Sequence, residues 1–275
     1  VPVTFLVVPQ WQGSGSSRAL RLQDGAEAIR GDLPASFTRV VDVPMEAGDE
    51  LGSGLPRLGS LQLVRDRMLA ELATVPDRAI SIGGDCGIAL AAVEHVVATT
   101  EERVAVLWFD AHPDLNTVAT SPSGAFSGMV LRTLLGDGVA GLVPSRTVSP
   151  SSVVLAGTRS TDEGEEEYIV SSGITRVGAE QLADPATLVA AVTATGASSV
   201  FIHIDLDVFD PADITGVGDP VPFGVDAATL AGSIRAVSAE FSVVGASIAG
   251  FSPSSPDAAT DDLPTILRLI GALTA

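Results

Sequence analysis

Apolar residues fall along this chain in short β-branched runs separated by segments of helical spacing. The runs Val3–Val8, Ala79–Ile82, Val104–Phe109, Val153–Ala156, Ile174–Val177, Val200–Ile204 and Val243–Ile248 predict strands. Several are apolar throughout rather than alternating, the pattern of strands buried on both faces. Between them, Leu61, Val64, Met68, Leu69 and Leu72 recur at helical spacing. So do Leu188, Val189 and Val192 after an Asp184-Pro185 start, and Leu263, Ile266, Leu267 and Ile270 after Asp261 or Asp262. Strands alternating with helices predict an α/β fold with a mostly parallel, doubly wound sheet covered on both faces. Residues 12–60, rich in Gly, Ser and Pro, read as loops around one or two short helices. No linker divides the chain, so residues 1–275 are expected to form a single domain.

Polar clusters stand where the apolar runs stop. Gly83-Gly84-Asp85-Cys86 follows one, Asp110-Ala111-His112-Pro113-Asp114 the next, Gly157-Thr158-Arg159 another, and Asp205-Leu206-Asp207 another. Ligands of parallel sheets bind at the carboxyl ends of strands, so these clusters are expected to form one site. Alternate strand residues face one way. Asp110, His112 and Asp114 would then present two carboxylates and an imidazole together, as far as the strand continues, and Asp205 and Asp207 would do the same. Carboxylates with one imidazole suit manganese, with zinc, iron or nickel as alternatives. A lone Asp after a strand is ordinarily a helix cap or turn former, which is the reading for Asp210-Pro211. His95 reads as an ordinary helix residue.

Composition narrows the partners. Fifteen basic against 34 acidic residues give a net charge of −19, which disfavours nucleic acid and anionic membranes and favours a cationic ligand. The plainer account of that charge is a solvated acidic surface. All basic residues are arginine; without lysine there is no Schiff-base or Walker-type phosphate chemistry. The lone Cys86 permits no internal disulfide, and Val3–Val8 is too short for a signal segment. No apolar stretch approaches the roughly 20 residues of a membrane span. A cytoplasmic location is expected.

Gly-Gly-Asp-Cys at 83–86, Asp-Ala-His-Pro-Asp-Leu-Asn at 110–116 and Asp-Leu-Asp-Val-Phe-Asp-Pro at 205–211 together resemble, in order, the three motifs of the ureohydrolases. These are the arginase, agmatinase and formiminoglutamase enzymes. The resemblance implies a three-layer α/β/α sandwich, a centre of two manganese ions, and assembly into trimers or hexamers. It implies hydrolysis of a guanidino or amidino C–N bond by metal-held hydroxide. Asp110 and Asp205 would bridge the ions, His112 and Asp207 would hold the second, and Asp114 would orient the hydroxide. Finer matches resemble the arginase branch: Asn116, Ser123, Asp162 and Glu165 fall where that branch contacts its substrate.

Three positions depart from the family pattern. Cys86 replaces a histidine that binds the first ion; it is either a soft ligand or a buried neutral thiol. One ion, or a different divalent metal, would follow from that change. Ser127 stands where a histidine proton shuttle is expected, and serine cannot replace it without an adjacent base. Gly250 stands where a glutamate pairs with the guanidinium, a contact both strong and directional. His203 lies two positions before Asp205 and is expected on the same face, as a replacement ligand, an outer partner or a proton shuttle. The plainer expectation is a strand histidine bonded to backbone. Asp219 is a candidate for a substitute negative charge in a mouth loop. Two functions follow: a metal-dependent hydrolase of a linear, non-peptide C–N bond, with Asp114 and His203 catalytic, or a catalytically impaired homologue with a binding, regulatory or structural role.

Overall fold

The computed structural model describes residues 3–275. Its centre is a sheet of eight strands: β1 (Val3–Val7), β2 (Thr38–Val40), β3 (Arg78–Ile82), β4 (Val104–Phe109), β5 (Val153–Ala156), β6 (Thr175–Val177), β7 (Ser199–Asp205) and β8 (Ser242–Ala249). The order is β2-β1-β3-β8-β7-β4-β5-β6, and all seven pairings are parallel. The seven apolar runs are all strands. The eighth, β2, is a three-residue edge strand with no apolar run of its own, inside the stretch read as loop.

Alternate residues of β4 explain why its sequence is apolar throughout. Ala105, Leu107 and Phe109 enter one core, and Val104, Val106 and Trp108 the other. The first core is roofed by α1 (Arg21–Gly31), α6 (Pro185–Ala194), α7 (Ala227–Glu240) and α8 (Pro256–Thr274). The second is roofed by α2 (Leu58–Leu72), α3 (Ile88–Thr99), α4 (Val130–Leu134) and α5 (Glu163–Ser172). The fold is thus the expected three-layer α/β/α sandwich.

Two helix starts are instructive. Asp184 caps α6 as read, its side chain accepting from Ala186 N at 3.1 Å. The last helix begins earlier than the Asp261/Asp262 start. Ser255 caps it, accepting from Ala258 N at 3.1 Å, with Pro256 in the first turn. Asp262 is therefore inside α8 and buried, where it accepts from Thr215 N at 3.1 Å and Gly216 N at 2.7 Å. It ties the helix to a loop rather than capping it.

Candidate metal centre and cleft

The carboxyl ends of β3, β8, β7, β4 and β5 lie side by side in the sheet order and bring the polar clusters together. After β3 the chain turns at Gly84, φ +75°, where a Cβ would lie 2.6 Å from the Gln10 carbonyl. Only glycine fits there. Asp85 belongs to neither candidate ligand set and accepts from Gln10 Nε2 at 2.9 Å, Gly13 N at 2.9 Å and Gly87 N at 2.8 Å. It anchors the 10–13 loop; burial holds its pKa up at about 6. Cys86 is buried and donates from Sγ to Asp205 Oδ2 at 2.7 Å.

Strand alternation carries the second motif only as far as Phe109, where β4 stops. Beyond it, a loop performs the convergence. Asp110 accepts from His112 N at 2.6 Å and from Trp108 Nε1 at 3.2 Å. Asp114 has left-handed backbone, φ 52°, a conformation few residues other than glycine adopt. Asp205 ends β7, and Asp207 follows in a short 3₁₀ turn. Asp205 Oδ1 accepts from Asp207 N at 2.9 Å. Asp207 crosses to the β4 loop, accepting from Ala111 N at 3.0 Å and meeting His112 Nδ1 at 2.9 Å.

Two overlapping sets of side chains that could hold a metal ion result. Asp110, His112 and Asp207 form one, and Cys86, Asp110, Asp114 and His203 the other; within each, one donor atom per residue lies within 4.8 Å of the rest. Burial, with neighbouring negative charge, pushes the Asp110 and Asp114 carboxyls well up and Asp205 to about 7. His112 responds oppositely. Burial opposes its charge, but its bonds to Asp110 and Asp207 outweigh that and push it up to about 12. The cluster is a field that demands positive charge.

His203 lies on β7 in register with Trp108 of β4 and Ser247 of β8. It is fully buried, its ring centroid 3.8 Å from that of Trp108, and its Nδ1 is 2.8 Å from Ser247 Oγ. Burial lowers its pKa to about 3, so the imidazole is neutral. Its Nε2 and Asp114 Oδ2 are buried with no hydrogen-bond partner among the described residues.

The cluster forms the floor of a cleft of about 560 Å³ whose walls include Asn116, Ser123, Ser127, Asp162, Glu165, Asp219 and Gly250. Asp162 stands at the start of α5, its backbone N donating to Glu165 Oε2, and Asp162 Oδ2 accepts from Asn116 Nδ2 at 2.8 Å. Glu165 is buried, its two oxygens accepting from Leu115 N and Asp162 N, both at 2.9 Å. The acidic run 161–167 is thus largely the first turn of a helix. Asn116 Oδ1 accepts from Thr120 Oγ1 at 2.8 Å, while Ser123 is exposed at the rim. Asp219 is also exposed, with Oδ2 3.7 Å from His112 Nε2. Gly250 has φ +87°, and a Cβ there would lie 2.3 Å from Asp205 Oδ1. A side chain there would be strained and would have to displace Asp205, so the position is hindered and not merely without a carboxylate. A larger hollow of about 890 Å³ beyond Asn116 contains none of the strand-end ligand residues.

Sequence reasoning missed three supports. Arg159 donates to the carbonyls of Gly157, Asp207, Val208, Phe209, Val221 and Pro222 and so clamps the Asp207 turn. Trp108 and Ser247 position His203; the one signal was a hydroxyl standing inside the apolar Val243–Ile248 run. Asp210, by contrast, is the turn former expected, accepting from Ala212 N, Phe223 N and Gly224 N. His95 lies on α3, half-buried, as read.

A parallel three-layer sheet with overlapping carboxylate–imidazole sets at its carboxyl edge defines the class: an α/β protein with a metal-type centre. The sequence model of the arginase family matches residues 19–265, and the chain belongs to that family. The arginase of Entamoeba histolytica is 32% identical over 252 residues, 81% of each chain, and that of Bacillus caldovelox 35% identical over 203 residues, 67% of each. The solved Entamoeba arginase complexed with L-ornithine matches with TM-score 0.88 at 24% identity over 99% of this chain and 98% of that one. Proclavaminate amidino hydrolase from Streptomyces clavuligerus matches at 0.73 and 20% identity over 98% and 91%. At these identities the two structures show the shared fold.

Proposed function

We propose that the chain is a metal-dependent hydrolase of a linear C–N bond in a small cationic guanidino or amidino compound. The observation that carries this is the buried cluster at the cleft floor. Its carboxylates crowd together at a cost that divalent cations offset, and two buried polar atoms, His203 Nε2 and Asp114 Oδ2, lack a partner among the described residues. The donor set fits such ions: Asp110, His112 and Asp207 would hold one, and Asp110 and Asp114 would reach the other, with Asp205 between Cys86 and Asp207. Manganese suits the first set, and zinc, iron or nickel are the alternatives at the second. Bound in pairs, such ions acidify water and polarise an electrophilic carbon.

The chain's own groups do the rest. Asp114 lines the cleft floor; with its buried Oδ2 left to the ion, its other oxygen orients the attacking water and takes its proton. Asn116, Ser123 and Asp162, on the wall and rim, bind the polar tail of the substrate, and Glu165 holds Leu115 and Asp162 in place beside them. L-ornithine in the Entamoeba relative supports an amino-acid-like tail. Because Gly250 admits no carboxylate, the amidino end is not clasped from that side, so arginine is a poor substrate. Asp219 supplies negative charge at the mouth instead. The assembly is a homo-oligomer, trimer or hexamer, and the location cytoplasmic. Among the described residues no helix is long and apolar enough to cross a membrane.

Metal analysis, with urea or ammonia release over guanidino and amidino compounds in the presence of manganese, nickel, zinc or iron, tests the reading. Turnover of any one compound with bound ion supports it. Protein that is inert with every metal overturns it in favour of an impaired homologue with a binding or regulatory role.

A further inference from the structure

We propose that His203, delivered from β7, has become a ligand of the first ion and makes with Cys86, Asp110 and Asp114 a mixed sulfur–nitrogen–oxygen site for an ion softer than manganese. This rests on the reading that the strand ends hold divalent ions, and deepens it.

Three independent observations converge on His203. The first is placement: its donor atom lies within 4.8 Å of those of Cys86, Asp110 and Asp114, close to twice the roughly 2.0–2.3 Å length of a metal–ligand bond. The second is the bare nitrogen. Leaving a buried polar atom unpaired is costly, and His203 Nε2 and Asp114 Oδ2, both unpaired among the described residues, are carried by two residues of this one set. A histidine kept only for packing has no reason to carry that cost, since Ile204, Ile202 and Phe201 on the same strand are apolar and fully or almost fully buried. The third is the support around the ring. Ser247 on β8 lies at Nδ1 and Trp108 on β4 packs on the ring, both being neighbours in register. A hydroxyl accepting from Nδ1–H leaves the lone pair on Nε2, the tautomer a metal-binding histidine needs. Trp108 also donates to Asp110, so one side chain positions two members of the set.

The exchange has a chemical consequence. In place of one imidazole at position 86, the set has a thiol there and an imidazole from a different strand. Ion binding would displace the Cys86 proton to solvent and leave a thiolate, which favours zinc, cobalt or iron over manganese. The other set, His112 with the carboxylates of Asp110 and Asp207, keeps the harder character. The two halves of the centre would then differ in metal preference.

Cobalt(II) and zinc titrations of the full-length protein test this. Cobalt should produce a thiolate-to-metal charge-transfer band in the near ultraviolet, absent in Cys86→Ser. With only three histidines in the chain, long-range proton–nitrogen spectra can follow each ring; zinc should move His203 Nε2 to a metal-bound shift, with no variant at 203 required. His203→Ala should weaken the thiolate-linked ion by more than the roughly 10–100-fold that loss of an outer partner costs, and Ser247→Ala by about that range. Apo-protein melting curves separate misfolding from ligand loss. Absence of the charge-transfer band, or an unmoved His203 Nε2 in protein that does bind ion through His112, overturns the proposal and leaves the hydrolase reading standing. Protein that binds no divalent ion overturns both.

Discussion

Replacing Gly250 by glutamate restores, on paper, the residue with which family members are expected to grip a guanidinium. The geometry predicts that it fails. Position 250 has φ +87°, and a side chain in left-handed backbone costs about 1–2 kcal/mol. Its Cβ would lie 2.3 Å from Asp205 Oδ1 and 2.8 Å from Cγ. Asp205 is a short buried side chain and must leave its place, and with it the bonds to Asp207 N and Cys86 Sγ. An orphaned buried donor costs roughly 1–3 kcal/mol. Gly250→Ala should therefore lose about 2–5 kcal/mol in the metal-free protein, taking strain and lost bond together. Gly250→Glu should lose more, because it adds a carboxylate beside Asp205. Urea denaturation in chelator reads the loss as a lower midpoint at unchanged slope. The same variants should bind fewer divalent ions, since Asp205 sits between the two ligand sets. A Gly250→Glu protein as stable as wild type that begins to release urea from arginine would refute the reasoning. It would mean that the backbone there is free to open.

Other outcomes follow from the supports of the centre. Arg159→Lys loses most of six carbonyl contacts that a single ammonium cannot span. It should cost roughly 2–4 kcal/mol by urea denaturation and weaken the His112-linked ion by calorimetry; an unchanged midpoint would count against the clamp. Asp262→Ala leaves Thr215 N and Gly216 N unpaired, a loss of about 2–3 kcal/mol, and should speed hydrogen exchange at those two amides. Unaltered exchange there would contradict the tie. Asp85 titrates at about 6 in the folded chain against 3.8 unfolded. Its folded value is raised, so its contribution is fully present below pH 3.8 and is lost as pH rises through about 6. Stability of wild type relative to Asp85→Asn should fall across that window, and a flat difference would show that burial does not govern this group.

What the sequence disclosed and what it withheld divide along a physical line. Strands buried on both faces write themselves as continuous apolar runs, because each face meets its own core, as the two triplets of β4 do. Seven strands and the edge of the sheet that carries the site were legible for that reason. Edge strand β2 was not, since a three-residue, half-exposed strand carries no burial signal. Caps were legible only where one residue type dominates: Asp184-Pro185 announces a helix, whereas Asp261-Asp262 resembles a start and one of the pair is instead a buried anchor inside α8. Residues of ligand type were legible by kind and spacing, but strand alternation carries them together only to the end of β4. Past Phe109 the left-handed Asp114 and the Asp207 bonds bring them together, and no periodicity encodes a loop.

The same distinction bears on the substituted positions. Read singly, Cys86, Ser127 and Gly250 are losses, and losses point toward an impaired protein. The structure gives them different weights. Gly250 is sealed by Asp205, so its change is built into the floor of the cleft. Cys86 lies against Asp205 and shares a ligand set with His203, whose ring is held by Trp108 and Ser247 from the two adjacent strands. A decaying site accumulates unpaired polar groups at random, and each is free to revert to an apolar residue at a gain of about 1–3 kcal/mol. Here two of the unpaired buried atoms among the described residues, His203 Nε2 and Asp114 Oδ2, are carried by residues of one set that also includes the only cysteine of the chain. That coincidence favours a centre rebuilt for a different ion over one that has been abandoned.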